Sequence, residues 1–523
     1  MCVMRECVEF DMENKKNFNT PSTLKFDFSS APTMAAFLND KAFIRGVMGP
    51  VGSGKSYGCC AEIFRMALAQ KPSPRDGIKY SRFAIVRNTH PMLRTTTLKT
   101  WLELLPEHYW GNVKYSPPIT HHIKLPAREG AAGVDMEVIF LALDDPKDTR
   151  KLLSLELTGA WINEARELPV QIIEGLSHRV GRYPTQSDGG PSQYGIILDT
   201  NSMDDDHWYY RYAEKEKPKG KFSWKFFRQP PGILEIPHSQ VPQDMPEAQG
   251  YYFAAGRWWK TNPKAENLKN LPDGYYEQLT AGKQLDWIKC YAQADYTFVK
   301  EGKSVWHEFE PQSMIAELEP DPKYPVNVGL DFGLTPAAVF CQKVKDGRWH
   351  ILHELVTFDI GLNRFVSMLK SEMEMYFPGY KFNVWGDPAG NQRDQIYETT
   401  AFQHLNANGI LARPTITNEF KTRREAGAIP MTRLINGKPG LLVNKSCKQL
   451  IKALNGGYHF QRVMKGSGTE VYKDSPVKNN HSHIGDAFGY ALLGGGEHTA
   501  MVRRGGQFRA QTNAKVLDFD VFT

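Results

Sequence analysis

With 523 residues, 41% of them hydrophobic and 23% charged, the chain can build about two to four ordinary globular domains. The net charge of +6 suits a polyanionic partner without requiring one. Seven cysteines stand at 2, 7, 59, 60, 290, 341 and 447 with no C-x-x-C pair, which speaks against a zinc-ribbon or disulfide scaffold. No apolar run reaches the ~18 residues that a membrane span needs. Met1 to Asn19 carries acidic residues and lacks an apolar core, so no signal peptide is expected there.

Residues 1–40 read as an entry segment. Residues 41–240 alternate apolar runs with helical stretches, the pattern of an α/β domain with a largely parallel sheet. Strands are expected at Ile44–Met48, Phe83–Arg87, Met136–Leu143, Leu157–Ile162 and Tyr194–Leu198. Directly after the first comes Gly49-Pro50-Val51-Gly52-Ser53-Gly54-Lys55-Ser56, which fits the phosphate-binding pattern G-x-x-x-x-G-K-[ST]. A helix is expected over Tyr57–Ala69. The strand–loop–helix context is what the motif requires: backbone N–H groups and the helix N-terminus face phosphate oxygens. Lys55 then reaches the β- and γ-phosphates of ATP, and the Ser56 hydroxyl meets Mg²⁺.

Such a site also needs a carboxylate at a strand end to act on the attacking water. Gly159-Ala160-Trp161-Ile162-Asn163-Glu164 supplies Glu164, with Asn163 where an Asp is usual. Asn keeps an oxygen for a metal-bound water but loses the charge. Asp144 and Asp145 are the second choice and read better as a polar turn before Pro146. The strand ending in Leu198-Asp199-Thr200-Asn201 offers Thr200 and Asn201 as sensors of the γ-phosphate. Arg87 and Arg94 are the candidate arginine fingers, in cis or from a neighbouring subunit.

From about residue 215 the composition turns to Pro, Lys and aromatics. Residues 241–325 are expected to be a connecting region with short helices such as Tyr275–Leu285. A second α/β domain is expected over 326–496, and a mobile tail over 497–523. In this second block Asp331 closes the apolar strand Val326–Leu330, and Ala337–Val344 returns as a hairpin strand. Asp387 closes a strand in Phe382-Asn383-Val384-Trp385-Gly386. Asp486 sits in a helix with His481 and His483 about one turn before it. Two strand-end acids and one helical acid suit a ribonuclease-H-like nuclease, in which carboxylates bind two Mg²⁺ or Mn²⁺ ions about 4 Å apart. Basic residues of the same block, among them Lys421, Arg423, Arg424, Lys445 and Lys478, could line a phosphate-binding groove.

Gly49–Ser56, Leu157–Glu164, Gly329-Leu330-Asp331-Phe332-Gly333, Trp385-Gly386-Asp387-Pro388 and His483-Ile484-Gly485-Asp486-Ala487, in this order, resemble the large terminase subunit of tailed double-stranded DNA bacteriophages. The resemblance covers roughly residues 40 to 495. It implies an N-terminal ATPase that translocates double-stranded DNA and a C-terminal nuclease that cuts the concatemer. It implies ATP and Mg²⁺ on Lys55 and Ser56, and catalysis by Glu164. Thr200 and Asn201 would fall at the coupling motif, and Asp331, Asp387 and Asp486 would be nuclease metal ligands. It further implies a ring, of about five subunits, on the portal protein of the procapsid, a small terminase subunit as partner, and residence in the host cytoplasm without a membrane. The competing readings are a P-loop helicase or repair ATPase fused to a nuclease, and a transposase-type strand-transfer protein.

Overall fold

Every residue of β1 (Ile44–Met48) is buried, as a strand covered on both faces must be. It belongs to an eight-stranded sheet with β2 (Lys79–Arg87), β3 (Val113–Lys114), β4 (Ile119–Leu125), β5 (Val134–Ala142), β6 (Gly159–Asn163), β7 (Gly195–Thr200) and β8 (Trp224–Arg228). The order is β3-β4-β5-β2-β6-β7-β1-β8, antiparallel at the β3–β4–β5 edge and parallel elsewhere. In the computed structural model, residues 26–497 are described, apart from 129, 144–147, 153, 217–223, 300–301, 333–334, 359, 392–399 and 465–469. Asp144, Asp145 and the tail from 498 onward lie outside the described residues. The chain divides into two compact units at Val299/Lys300. No helix among the described residues is long and apolar enough to cross a membrane.

The period-two pattern of the strands sorts the core of the first unit into two layers. Val47, Phe83, Ile85, Trp161 and Ile197 face one side. There they pack on Cys59, Cys60, Ile63 and Phe64 of α2 (Lys55–Leu68) and on Met34 and Phe37 of α1 (Pro32–Asn39). Ile44, Met48, Val86, Ile162, Ile196 and Leu198 face the other side, covered by Ile172, Ile173 and Leu176 of the helix Val170–Ser177. All five strands expected in this region are present within a few residues. Three of the eight, β3, β4 and β8, were not anticipated.

Residues 241–325 are not a simple connection. Up to Val299 they belong to the first unit. Here β10 (Tyr251–Ala254) and β11 (Arg257–Thr261) join β9 (Ile233–Ile236), which precedes the stretch, in an antiparallel sheet of order β10-β11-β9. Its core is Ile233, Tyr252, Trp259, Tyr276 and Ile288. The helix expected over Tyr275–Leu285 is two helices, Tyr275–Thr280 and Leu285–Tyr291. Gly282, at φ +69°, turns the chain between them.

The second unit begins with β12 (Lys303–Ser304) and β13 (Ile315–Ala316). Then come β14 (Val326–Asp331), β15 (Ala337–Lys343), β16 (Trp349–Val356), β17 (Phe382–Gly386) and β18 (Ala412–Pro414). A small hairpin, β19 (Leu434–Ile435) and β20 (Lys438–Pro439), precedes β21 (Leu441–Asn444). The main sheet runs β13-β21-β16-β15-β14-β17-β18. Strands β14, β15 and β16 form an antiparallel meander, and β17 and β18 extend it in parallel. This is the mixed sheet expected of the second domain. The helix Leu362–Tyr376 covers one face through Phe365, Val366 and Leu369. The helix Asn480–Leu492 covers the other through Ile484, Ala487, Phe488 and Ala491.

Glu497, expected to open the mobile tail, is instead fully buried. It is held by Arg433 (2.7 Å), Lys343 (2.9 Å) and the Trp349 indole N–H (2.8 Å). Burial opposes its ionisation, but these donors outweigh that and hold its carboxyl below the ordinary range.

Candidate active site

The loop Gly49–Gly54 leaves β1 and enters α2 at Lys55. Gly52 and Gly54 sit at φ +79° and +80°, the left-handed region where a side chain is strained. The antiparallel subdomain holds this loop from outside. The Val51 N–H donates to Tyr291 O (2.8 Å), the Tyr276 hydroxyl to Val51 O (3.0 Å) and Asn267 Nδ2 to Gly52 O (2.8 Å). Gln229 Nε2 donates to Ser53 O and to Glu266 Oε2, and Glu266 accepts the Thr33 N–H at the start of α1. Aromatic and amide residues of the expected connecting region are therefore the scaffold of the phosphate loop.

A cavity of about 350 Å³ lies on this loop. It is lined by Gly52–Tyr57 together with Glu164, Asn201 and Leu271, in the size range of small-molecule sites. Lys55 is 6% exposed, and burial lowers its pKa against the pull of Glu164 and Asp199. Its ammonium donates to Gly49 O (2.9 Å), Pro50 O (2.7 Å) and Asn201 Oδ1 (3.2 Å). Glu164 occupies a left-handed conformation (φ 53°, ψ 59°), unusual for a non-glycine residue and concentrated at functional sites. Asn201 clamps its carboxylate with the backbone N–H (3.3 Å) and Nδ2 (3.1 Å). Burial first, and then the charge of Asp199, raise the pKa of Glu164. Lys55 at the start of α2, Glu164 directly after β6 and Asn201 directly after β7 thus meet in one cavity.

Asn163 does not present its oxygen as expected. Thr97 Oγ1 donates to Asn163 Oδ1 (2.6 Å), and Asn163 Nδ2 donates to both Asp199 oxygens (3.0 and 3.1 Å). Asp199, passed over in the sequence, is completely buried. It also accepts the Ser56 hydroxyl (2.7 Å) and the Trp161 indole N–H (2.8 Å). The signal was an acid inside an otherwise apolar strand. Thr200 is buried, and its hydroxyl donates to Asn201 O (2.8 Å) while its carbonyl accepts the Gly49 N–H.

The two arginine candidates separate. Arg87 is 4% exposed and bound to Asn163 O (3.3 Å) and the Glu167 carboxylate (3.2 Å). Arg87 is thus anchored within its own unit, with its charge acting on Glu164. Arg94, on the turn Leu93–Thr97, is exposed.

In the second unit, Gly329 lets the helix Asn480–Leu492 sit on the sheet. A Cβ there would stand 2.1 Å from Ala487 O. Asp331 shares that face two residues on, and His483 Nδ1 lies 2.7 Å from its Oδ2. Asp387 follows the parallel pair Leu330–Gly386 by one residue and hydrogen-bonds Tyr490. Asp486 is 4% exposed. It receives Arg423 (2.6 Å) and Tyr458 (3.1 Å) on Oδ1 and Lys478 (2.6 Å) on Oδ2.

The fold brings the three aspartates to one end of the sheet, but their carboxylates are engaged by separate partners. Among the described residues, no three acidic, His or Cys side chains form a cluster able to hold a metal ion. Asp486 is paired here with Arg423 and Lys478. Of the basic groove residues, Arg423 is buried, Arg424 pairs with Glu308 and Glu425, and Lys445 pairs with Glu317.

No family model matches the sequence, and no curated protein matches it. The chain is similar to several solved structures. The large terminase of the thermophilic bacteriophage D6E is 14% identical, with 89% of this chain and 98% of that chain covered at a TM-score of 0.37. The P22 large terminase nuclease domain is 14% identical over 37% of this chain and 92% of its own, at 0.29. The HK97 bacteriophage large terminase is 12% identical over 91% of this chain and 96% of its own, at 0.38.

Proposed function

We propose that the chain is a genome-packaging terminase large subunit, an ATP-driven translocase of double-stranded DNA carrying an endonuclease that cuts concatemeric DNA. The observation that carries the reading is the convergence of Lys55, Glu164 and Asn201 on the phosphate loop, in a chain that continues into a ribonuclease-H-like unit. In this reading Lys55 turns its ammonium from Asn201 and the loop carbonyls to the nucleotide phosphates. Glu164, made more basic by burial and by Asp199, accepts a proton from the attacking water. Asn201 touches both side chains, so loss of its bond from Lys55 is felt at Glu164 and couples nucleotide state to the β7 end. Mg²⁺, when bound with the nucleotide at Ser56, neutralises phosphate charge. Cleavage is assigned to the sheet end bearing Asp331, Asp387 and Asp486.

The partners in this reading are double-stranded DNA, held through its phosphates, the portal of a procapsid, a small terminase subunit and further copies of the chain in a ring of about five. Its place is the host cytoplasm and, transiently, the portal.

Purified protein tests the two activities side by side, with ATP hydrolysis and cleavage of circular plasmid in Mg²⁺ or Mn²⁺. Glu164→Ala should lose hydrolysis and still cut, and Asp387→Ala should do the reverse. Uptake of DNA into procapsids, dependent on Glu164, then tests packaging. Unimpaired cutting by Asp387→Ala would overturn the nuclease assignment. Strand separation of a duplex without procapsids would favour the helicase reading.

A further inference from the structure

We propose that Asp199, and not the residue at position 163, is the carboxylate that pairs with Ser56 in holding Mg²⁺, and that Asn163 is its positioning residue. This rests on the nucleotide-site reading above and deepens it.

The sheet order places β7 between β1 and β6. An acid on β7 at the level of the phosphate loop is therefore one strand nearer to Ser56 than an acid on β6. The register pairs Asp199 with Val47 on one side and with Asn163 on the other. The Ser56 hydroxyl lies 2.7 Å from Asp199 Oδ2, whereas Asn163 Nδ2 is 3.4 Å from the same hydroxyl.

The chemistry of the donor set points the same way. A carboxylate only accepts hydrogen bonds, so it turns the Asn163 amide nitrogen toward itself, and Thr97 takes the amide oxygen. Asn163 therefore turns its oxygen to Thr97 and its amide nitrogen, not its oxygen, to Ser56. Trp161, Asn163 and Ser56 are all neutral donors. They orient Asp199 without an ion pair, inside the protein and next to the hydroxyl that belongs to the metal in a phosphate loop. Buried charges are paired or coordinate metals. The charge of Lys55 acts on Asp199, but among the described residues no Lys or Arg forms an ion pair with it. An Asp at 163 would instead put two carboxylates face to face across adjacent strands, where like charges disfavour ionisation. Asparagine at 163 and aspartate at 199 are thus a matched exchange of roles.

The test is binding of a fluorescent ATP analogue, measured in EDTA and across a Mg²⁺ titration, with Mn²⁺ electron paramagnetic resonance as a direct metal readout. Asp199→Asn should raise the Mg²⁺ midpoint about a hundredfold, and Asn163→Ala should raise it about tenfold. Asn163→Asp should not tighten Mg²⁺. The exchange variant Asn163→Asp/Asp199→Asn, with one carboxylate restored, should recover part of the Mg²⁺ dependence.

A wild-type Mg²⁺ midpoint in Asp199→Asn overturns the proposal, as does tighter Mg²⁺ binding in Asn163→Asp. If Asp199→Asn does not fold, the exchange variant decides: recovery supports the assignment and no recovery overturns it. Failure of the underlying reading looks different, because wild type and Lys55→Ala would then bind the analogue equally poorly with or without Mg²⁺.

Discussion

Asp199 and Asp486 are both buried aspartates beside a candidate reaction centre, but their partners differ in kind. Asp199 is surrounded by a hydroxyl, an amide and an indole. Asp486 carries a guanidinium and an ammonium. Neutral donors fix a carboxylate's direction and leave its charge available. Cationic partners fix direction and consume charge. The first unit therefore presents an acid ready for an incoming cation, whereas the second presents one that must first exchange a cation it already holds. A protein that hydrolyses nucleotide continually but cuts DNA only at chosen moments would be served by this asymmetry.

The largest effect expected concerns the first site alone. Lys55→Ala should lower kcat for ATP hydrolysis by about 10³-fold, the scale of losing one preorganised charge-stabilising donor. Plasmid cleavage without ATP should stay at the wild-type rate. A parallel fall in both activities would break the comparison, since it would make the two centres one.

Much of this first site was legible. The motif names its own backbone geometry, and an apolar run followed by a helical stretch can only be read one way around it. Asp199 was not legible, because its importance depends on β7 lying between β1 and β6, and sheet order is non-local. The same holds for Gln229, Tyr276 and Tyr291. Their Pro- and aromatic-rich surroundings resemble a linker, yet their polar atoms are spent on the phosphate loop. In the second unit the strand-end acids Asp331 and Asp387 and the helical Asp486 were legible from periodicity. The cations that meet Asp486 were visible only as a basic composition, since Arg423 lies 63 residues away in sequence.

Next in size is a prediction on stability. Glu497 is fully buried among Arg433, Lys343 and Trp349. Removing one partner of a buried pair costs about 3 kcal/mol at the lower end, which applies here because both cations are part-exposed. Glu497→Ala should lower the denaturant midpoint of the second unit accordingly and leave nucleotide binding intact. The sign with pH follows from the lowered folded-state pKa. The stabilisation is present above the unfolded carboxylate value and is lost as pH falls through the folded one. Wild type and variant should therefore converge in stability toward acid, which equilibrium unfolding across pH would follow.

A smaller change is expected at the link between Lys55 and Glu164. Asn201→Ala removes the side-chain contacts to both but leaves its backbone N–H on Glu164. Mispositioning of a general base, and not its loss, should reduce kcat about tenfold, below the 10²–10⁴ range of losing the base itself. ATP affinity should move little. Steady-state hydrolysis beside equilibrium binding separates the two effects, and a change confined to affinity would remove Asn201 from the coupling role.

The smallest effect bears on the second half of the comparison. Lys478 is 68% exposed where it meets Asp486, whereas Arg423 is 9% exposed and stacks on the Tyr490 ring at 4.6 Å. An exposed ion pair is worth about 0–1 kcal/mol. Lys478→Ala should thus lower the Mn²⁺ concentration needed for half-maximal plasmid cleavage by only about threefold. Arg423→Ala should behave differently, because it leaves Asp486 buried beside an emptied space and so weakens the fold of the helix Asn480–Leu492. If Lys478→Ala instead raises the Mn²⁺ requirement, the lysine is working with the incoming cation and not against it. Asp486 would then be prepared for its task much as Asp199 is, by partners that orient it.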